Sequence, residues 1–367
     1  MQDKSFRHKN ITIKEVALKA GVCIKTISNV VNNPGIVKMA TRERVLQAIA
    51  ELDYRPSAAA RALVTRSRRL IGFLLSDVTN PAYPEMVEVV TALARQKGFM
   101  LLLCNTGRDS VEEERYLDLL IEQQADGVII SSASADSRSM DILSKRGIRV
   151  VLFNRRPARY SVNYIGVDNE GGGHAAVIHL IKAGHRRIAF IRGDVGSSTS
   201  EEREQGYRRA HAESGIDVDE SLVVLGDYRT EQASRASSEL LTRTDRPSAV
   251  FAANDVMALS VIDTANSIGL RVPEDLAVVG FDDIPIASNS MIGLTTVRSN
   301  LRDLAGEATR LLFDLIENPE HPRNQNPEDR ILPVSLKIRR SCGGMGLDST
   351  KAQSILSLAR PRPRGKS

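Results

Sequence analysis

The chain has 367 residues, enough for two or three compact units with cores of their own. It is 42% hydrophobic and 26% charged, and no run approaches the ~18 uncharged apolar residues that a membrane helix needs. Net charge is +5 but uneven: residues 1–69 carry 14 Lys/Arg against 5 Asp/Glu, leaving 36 against 40 for the rest. A cationic head on a mildly anionic body points to a polyanion partner for the head. The polar start MQDKSFRHKN lacks the apolar stretch of a secretory signal. Three scattered cysteines (Cys23, Cys104, Cys342) suit neither a disulfide framework nor a zinc cluster. The expected setting is the cytoplasm, with no membrane partner.

Thr12-Ile13-Lys14-Glu15 has the capping-box pattern, and Ile13, Val16, Ala17 and Ala20 fall on one face of the helix that follows. Gly21 ends that helix. A second short helix is predicted from Ile24 to Val31, with Ile27, Val30 and Val31 inward and Ile24, Lys25, Ser28 and Asn29 on the opposite face. Asn32-Asn33-Pro34-Gly35 breaks the chain, and Thr41 opens a third helix with Val45, Leu46, Ile49 and Leu52 inward. Two short helices joined by a glycine turn and braced by a third form a helix-turn-helix, whose second helix enters the major groove of double-stranded DNA. Lys25 can donate to guanine O6 or N7, Asn29 can pair with adenine, and Ile24 can rest on a thymine methyl.

The run TIKEVALKAGVCIKTISNVVNNPGIVKMATRERVLQAIAELDYRPSAAARAL resembles the headpiece of the lactose/galactose-repressor (LacI/GalR-type) family. The resemblance implies that Ile24, Lys25 and Asn29 read bases, with Thr26 and Ser28 at phosphates or nearby. Thr12 and Ser57 join this DNA-contacting set. It also implies a hinge helix in which Leu63, with Ala60 beside it, wedges into the minor groove at the operator centre. Cys23 departs from the Ser that usually caps the recognition helix. A thiol caps more weakly, and a small buried space-filler is the expected role.

From Leu70 short apolar runs recur at helix-length spacing: Leu70–Leu75, Met100–Cys104, Gly127–Ser131, Val150–Phe153, Ile188–Ile191, Leu222–Leu225, Ala249–Ala252 and Ala277–Gly280. Eight such strands predict two open parallel sheets with a cleft between them. Ligands bind beyond the carboxyl ends of such strands. The residues there are Asp77, Asn80, Asn105, Thr106, Ser131, Asn154, Asp194, Asn254, Asp255, Asp282 and Asp283, a set suited to a ligand rich in hydroxyls. With no Trp in the chain, ring stacking falls to Tyr83, Phe281 or an aliphatic face.

The same family resemblance extends through GHRRIAFI (184–191), REQGY (203–207), FAAND (251–255), VGFDD (279–283) and LTTV (294–297). It implies effector contacts from Tyr83, Asn154, Arg203, Asn254 and Asp282. Asn154 replaces a common Asp, and with Arg203 this makes a pocket able to admit a sugar acid. The implied fold is α/β: a headpiece over residues 1–56, a hinge over 57–69, and a periplasmic-binding-protein-like effector and dimerisation domain over 70–342. Its N-subdomain takes about 70–165 and 297–329, and its C-subdomain about 166–296 and 330–342. Residues 343–367 are expected to be a disordered basic tail, and Ile355, Leu356 and Leu358 do not sustain the heptads of a tetramerising coiled coil. The implied function is a sequence-specific repressor of carbohydrate-metabolism genes, binding a near-palindromic operator as a homodimer under control of a small sugar-like effector. No catalytic constellation, cofactor or metal site is expected. Gly171-Gly172-Gly173 lacks the Lys-Ser/Thr of a phosphate loop and reads as helix-start packing, while His174, His179 and His185 lack metal-ligand spacing.

Overall fold

The computed structural model describes residues 11–32, 34–54, 67–131, 137–157 and 159–343, and the chain divides into two units at Arg68/Arg69. In the first unit α1 (Ile13–Ala20), α2 (Ile24–Asn32) and α3 (Met39–Glu51) pack around Val16, Ala20, Ile27, Val30, Val45 and Ala48. The capping box starts α1: the Thr12 N–H donates to the Glu15 carboxylate at 2.7 Å and the Thr12 hydroxyl at 3.0 Å. Gly21 adopts φ 60°, a left-handed conformation that ends α1 and turns the chain into α2.

Three expectations for this unit need correction. Helix α3 begins at Met39, two residues before Thr41, with Lys38 at its N-cap. Val31 and Leu46 are 38% and 46% exposed rather than inward. A three-helix unit with short helices closes around one narrow seam, and these two residues flank it. Cys23 is exposed, not a buried filler. Its carbonyl takes the Thr26 N–H at 2.9 Å, which leaves the side chain on the outer side of the turn.

The second unit repeats βα elements. In its first lobe β1 (Leu70–Leu75), β2 (Met100–Asn105), β3 (Gly127–Ile130), β4 (Arg149–Phe153) and β5 (Asn163–Val167) alternate with α4 (Tyr83–Gln96), α5 (Ser110–Glu122) and α6 (Ser137–Lys145). The second lobe holds α7 (Asn169–Lys182), β6 (Ile188–Arg192), α8 (Ser198–Glu213), β7 (Val223–Leu225), α9 (Thr230–Leu241), β8 (Ala249–Ala252), α10 (Asp255–Ser267), β9 (Ala277–Asp282) and β10 (Thr295–Arg298). The chain then returns with α11 (Leu301–Glu317), which packs on α4, and β11 (Asp329–Leu332), before β12 (Ser335–Lys337) rejoins the second lobe. The sheet orders are β11-β5-β4-β3-β1-β2 and β12-β10-β9-β8-β6-β7, parallel except for β12 against β10. Strands such as β3, β4 and β8 are near-continuous apolar runs because helices cover both faces of a parallel sheet.

All eight predicted strands are present, and β5, β10, β11 and β12 are additional. These four lie where the chain changes lobe. The changes follow Val167, Arg298 and Leu332, so the positions expected from sequence, 165, 296 and 330, fall inside strands. No helix of the described residues is long and apolar enough to cross a membrane.

In each sheet the winding reverses once, at β1 between β2 and β3 and at β6 between β7 and β8. The carboxyl ends of strands beside such a reversal splay apart and open a crevice. Glycines of α7 and α8 meet beside the second one. A Cβ on Gly173 would lie 2.5 Å from the Arg203 carbonyl oxygen, and one on Gly206 2.2 Å from that of Glu170. Only glycines allow α7 and α8 to approach so closely, and this contact carries Arg203 into the interior.

Candidate DNA-reading helix and effector cleft

In the first unit Ile24 and Lys25 stand exposed on α2, and Thr26, Ser28 and Asn29 are half-buried beside them. An isoleucine 43% exposed at a helix start has no packing reason to be there, and it suits contact with a thymine methyl. Thr12 is exposed at the head of α1. The Cys23 thiol lies 3.2 Å from the Thr26 hydroxyl, and this hydrogen bond lowers its pKa from the ordinary 9.0. Ser57, Ala60 and Leu63 lie outside the described residues, as do 344–367.

In the second unit Tyr83, Asn154, Arg203, Asn254 and Asp282 line one cavity between the lobes, of about 30 Å³. Ser76, at the end of β1, and Ser131, at the end of β3, meet the Tyr83 hydroxyl at 2.9 and 3.2 Å. That hydroxyl is therefore spent on the two strand ends, and the ring faces the cavity. Asn254 caps α10 by accepting the Met257 N–H at 3.0 Å, which leaves its amide N–H groups for the cleft. Asn154 sits at φ 63°, a left-handed conformation Asn tolerates, with its carbonyl held by the Tyr164 hydroxyl at 2.9 Å.

Arg203 is 3% exposed. Its guanidinium lies 3.6 Å from the Phe281 ring centroid, donates to Asn169 at 2.9 Å and to the Ala253 carbonyl, and reaches Asp282 at 3.4 Å. Burial pushes the Asp282 carboxyl up to about 6, against the pull of Arg203 and Arg155. Asp282 also carries φ 113° and Asp283 φ 60°, a backbone kink that aims the first carboxylate into the cleft. Asp283 turns away, accepting from Arg298 at 2.5 Å and Arg339 at 2.6 Å.

Several members of the strand-end set do other work. Asp255 is fully buried, accepts the Thr296 hydroxyl at 2.5 Å and the Ile284 N–H at 2.9 Å, and is pushed well above the ordinary carboxylate range by burial and by Asp282. Asp283, as described, holds two arginines. Phe281 is covered by Arg203 and is not a stacking surface for a ligand.

Sequence reasoning missed Arg108, Arg155, Thr199 and Tyr228, which complete the cavity wall. Tyr228 is buried in that wall, its hydroxyl tied to Thr199 at 3.1 Å. Arg155 and Arg108 sit over its ring at 5.1 and 5.9 Å. Both arginines cross from the first lobe to the second: Arg155 donates to Asp194 at 3.1 Å, and Arg108 to the carbonyls of Asp227 and Tyr228. A third crossing runs from Arg156 to Glu202 at 2.8 Å, and Glu202 in turn takes the Asn169 amide at 2.9 Å. Asn169 is the same residue that accepts from Arg203. A continuous polar chain thus joins Asp282 to the first lobe.

Comparison with known proteins gives this geometry a context. Residues 12–57 match the bacterial regulatory proteins of the lacI family, and residues 177–342 the periplasmic binding protein-like domain. The HTH-type transcriptional repressor PurR of Photobacterium profundum is 35% identical over 321 residues, 86% of this chain and 96% of that protein. Among solved structures, a transcriptional regulator CelR–cellobiose complex is 35% identical with a TM-score of 0.68, covering 90% of this chain and 99% of that one. The Lac repressor dimer bound to operator and the anti-inducer ONPF is 27% identical with a TM-score of 0.80, covering 91% and 99%. Similar to these regulators over nearly its whole length, the chain belongs to the lacI family of bacterial regulatory proteins and is a DNA-binding transcriptional regulator.

Proposed function

We propose that this regulator is a repressor that binds a near-palindromic operator as a homodimer and is switched by a small polar effector held between its lobes. The observation that carries the effector reading is convergence: Tyr83, Asn154, Arg203, Asn254 and Asp282, spread over about 200 residues of chain, line one cavity at the two sheet reversals. The headpiece supports the operator reading, with Ile24, Lys25 and Asn29 for base edges and Thr12, Thr26, Ser28 and Ser57 for the backbone. Leu63 and Ala60 serve as the minor-groove wedge. The solved Lac repressor relative is a dimer bound to operator, and the CelR relative holds cellobiose. Polar donors and acceptors around an aromatic face suit a hydroxylated carbohydrate metabolite, and the regulated genes are those of its metabolism. The protein acts by binding alone, in the cytoplasm, without turning its ligand over. A purine effector is the second reading, favoured by the PurR relatives.

A thermal-shift screen of the full chain against sugars, sugar acids, polyols and nucleobases tests this. A ligand at 100 times its Kd adds ~2.7 kcal/mol to the domain it binds, worth roughly 5–10 °C. The expected result is a stabilising ligand whose effect is weakened at least tenfold by Asp282→Asn. A stabilising ligand indifferent to Asp282→Asn would place the effector elsewhere and reject the cleft.

A further inference from the structure

The cavity between the lobes, about 30 Å³, has room for about two water molecules, whereas sites for small ligands run to roughly 300–1,000 Å³. A ring enters only if part of the wall gives way. Charge does not single that part out, because each arginine of the wall already faces a carboxylate: Arg203 has Asp282, Arg108 has Asp77 and Asp227, and Arg155 has Asp194. Position does. Asp194 and Tyr228 follow β6 and β7, at the reversal of the second sheet, where ligands of such folds bind. Arg155, from the first lobe, covers both: its guanidinium lies 5.1 Å from the Tyr228 ring centroid and donates to Asp194 at 3.1 Å. Arg155 lines the cavity and Asp194 does not, so the arginine stands between that carboxylate and the cavity. The other Asp194 oxygen, Oδ1, is buried with no hydrogen-bond partner among the described residues. Tyr228 is itself fixed in place: a Cβ on Gly193 would lie 2.1 Å from its ring, and Thr199 holds its hydroxyl.

Resting on the cleft reading above, we infer that Arg155 is a plug in the effector site, and that the effector is a hydroxylated ring that takes its place on Tyr228 and Asp194. A planar guanidinium laid on an aromatic ring and bonded to a carboxylate makes the two contacts that a sugar makes in such a corner. The sugar's C–H face packs on Tyr228, and its hydroxyls donate to the two oxygens of Asp194. Parting of the lobes lifts the plug, since Arg155 belongs to the first lobe and the residues it covers to the second. Binding breaks an ion pair before it forms contacts of its own. The arginine therefore lowers effector affinity, the opposite of what a ligand-holding residue does.

The test titrates glucose, galactose, ribose, cellobiose and hypoxanthine into the full chain by isothermal calorimetry. The proteins are the wild type, Arg155→Ser, Arg155→Lys and the double variant Arg155→Ser/Asp194→Asn. The expected result is that one of the sugars binds best and that Arg155→Ser binds it at least tenfold more tightly than the wild type. Arg155→Lys, which keeps the charge pair but not the plane on the ring, falls between the two. In the Arg155→Ser background Asp194→Asn then loses at least tenfold; an aspartate that served only as the partner of Arg155 would leave that affinity unchanged. If Arg155→Ser does not melt cooperatively, Arg155→Lys decides by the same sign. Equal or weaker binding by the Arg155 variants overturns the inference, as do an indifferent Asp194→Asn, hypoxanthine as the tightest ligand, or a panel that neither protein binds. Weaker binding of a ligand that also falls with Asp282→Asn removes only the plug and leaves the cleft standing. A ligand indifferent to Asp282→Asn rejects the cleft as well.

Discussion

Arg203 and Asp282 meet at 3.4 Å inside a site where the arginine is 3% exposed and the aspartate's side chain 12%. A pair this dry is held by what surrounds it. The Phe281 ring supports the guanidinium, Asn169 and the Ala253 carbonyl take its other nitrogens, and the kink at Asp282–Asp283 fixes the carboxylate. The arrangement positions one acceptor at the centre of the cleft. Asp282→Asn is the apt substitution, because φ 113° would strain most other side chains.

Folded Asp282 binds its proton up to about pH 6, against an ordinary 3.8, so folding favours its protonated form. That contribution is full below 3.8 and is lost as pH rises through about 6. A rise of this size corresponds to about 3 kcal/mol. Asp282→Asn should therefore melt higher than wild type at about pH 8, with the gap closing on acidification from about pH 6 towards about pH 4. Thermal denaturation across that range measures it.

Asp255 makes a contrasting case. Its carboxyl is buried and pushed well above the ordinary carboxylate range, with the Thr296 hydroxyl and the Ile284 N–H on its two oxygens. Asp255→Asn can keep both contacts and should cost less than about 1 kcal/mol. Asp255→Ala leaves two buried donors without acceptors and should cost about 2–4 kcal/mol in urea unfolding.

The polar chain from the cleft to the first lobe predicts a separable effect. Arg156 touches Glu202, Tyr160 and Asp329 and lines no part of the cavity. Arg156→Met should weaken effector binding roughly tenfold, about 1.4 kcal/mol, by loosening lobe closure. The loss should be the same for every ligand that binds, as isothermal titration with two different effectors would show.

On the DNA side, Lys25→Ala should relax base preference and cost about 1–3 kcal/mol at one operator position. Selection from a randomised duplex pool reads the preference directly. An unchanged selected sequence removes Lys25 from the base-reading set.

How much of this was legible in the sequence depended on range. The capping box at Thr12–Glu15 and the turn at Gly21 are local, and local patterns carried over. Val31 and Leu46 did not, because periodicity marks a face but not how wide a seam three short helices can close. Strands β5, β11 and β12 are short or carry polar residues (NYIGV, DRIL, SLK), so no apolar run announced them. Their pairing is decided by the crossings between lobes. Arg108, Arg155 and Tyr228 lay within three residues of predicted strand ends or of the polar residues that follow them, and reading one step past Asn154 would have found Arg155. Phe281 misled for a related reason: its burial under Arg203 is a tertiary contact with no trace in local spacing.

The central claim is that the cleft and the headpiece of this one chain are energetically coupled. The most direct measurement is the affinity of the full chain for its selected duplex, by fluorescence anisotropy, with and without a saturating cleft ligand. Couplings of about 1–3 kcal/mol predict a change of roughly 5- to 150-fold, shifted to higher ligand concentration by Asp282→Asn. An operator affinity that is the same with the cleft filled and empty would contradict it.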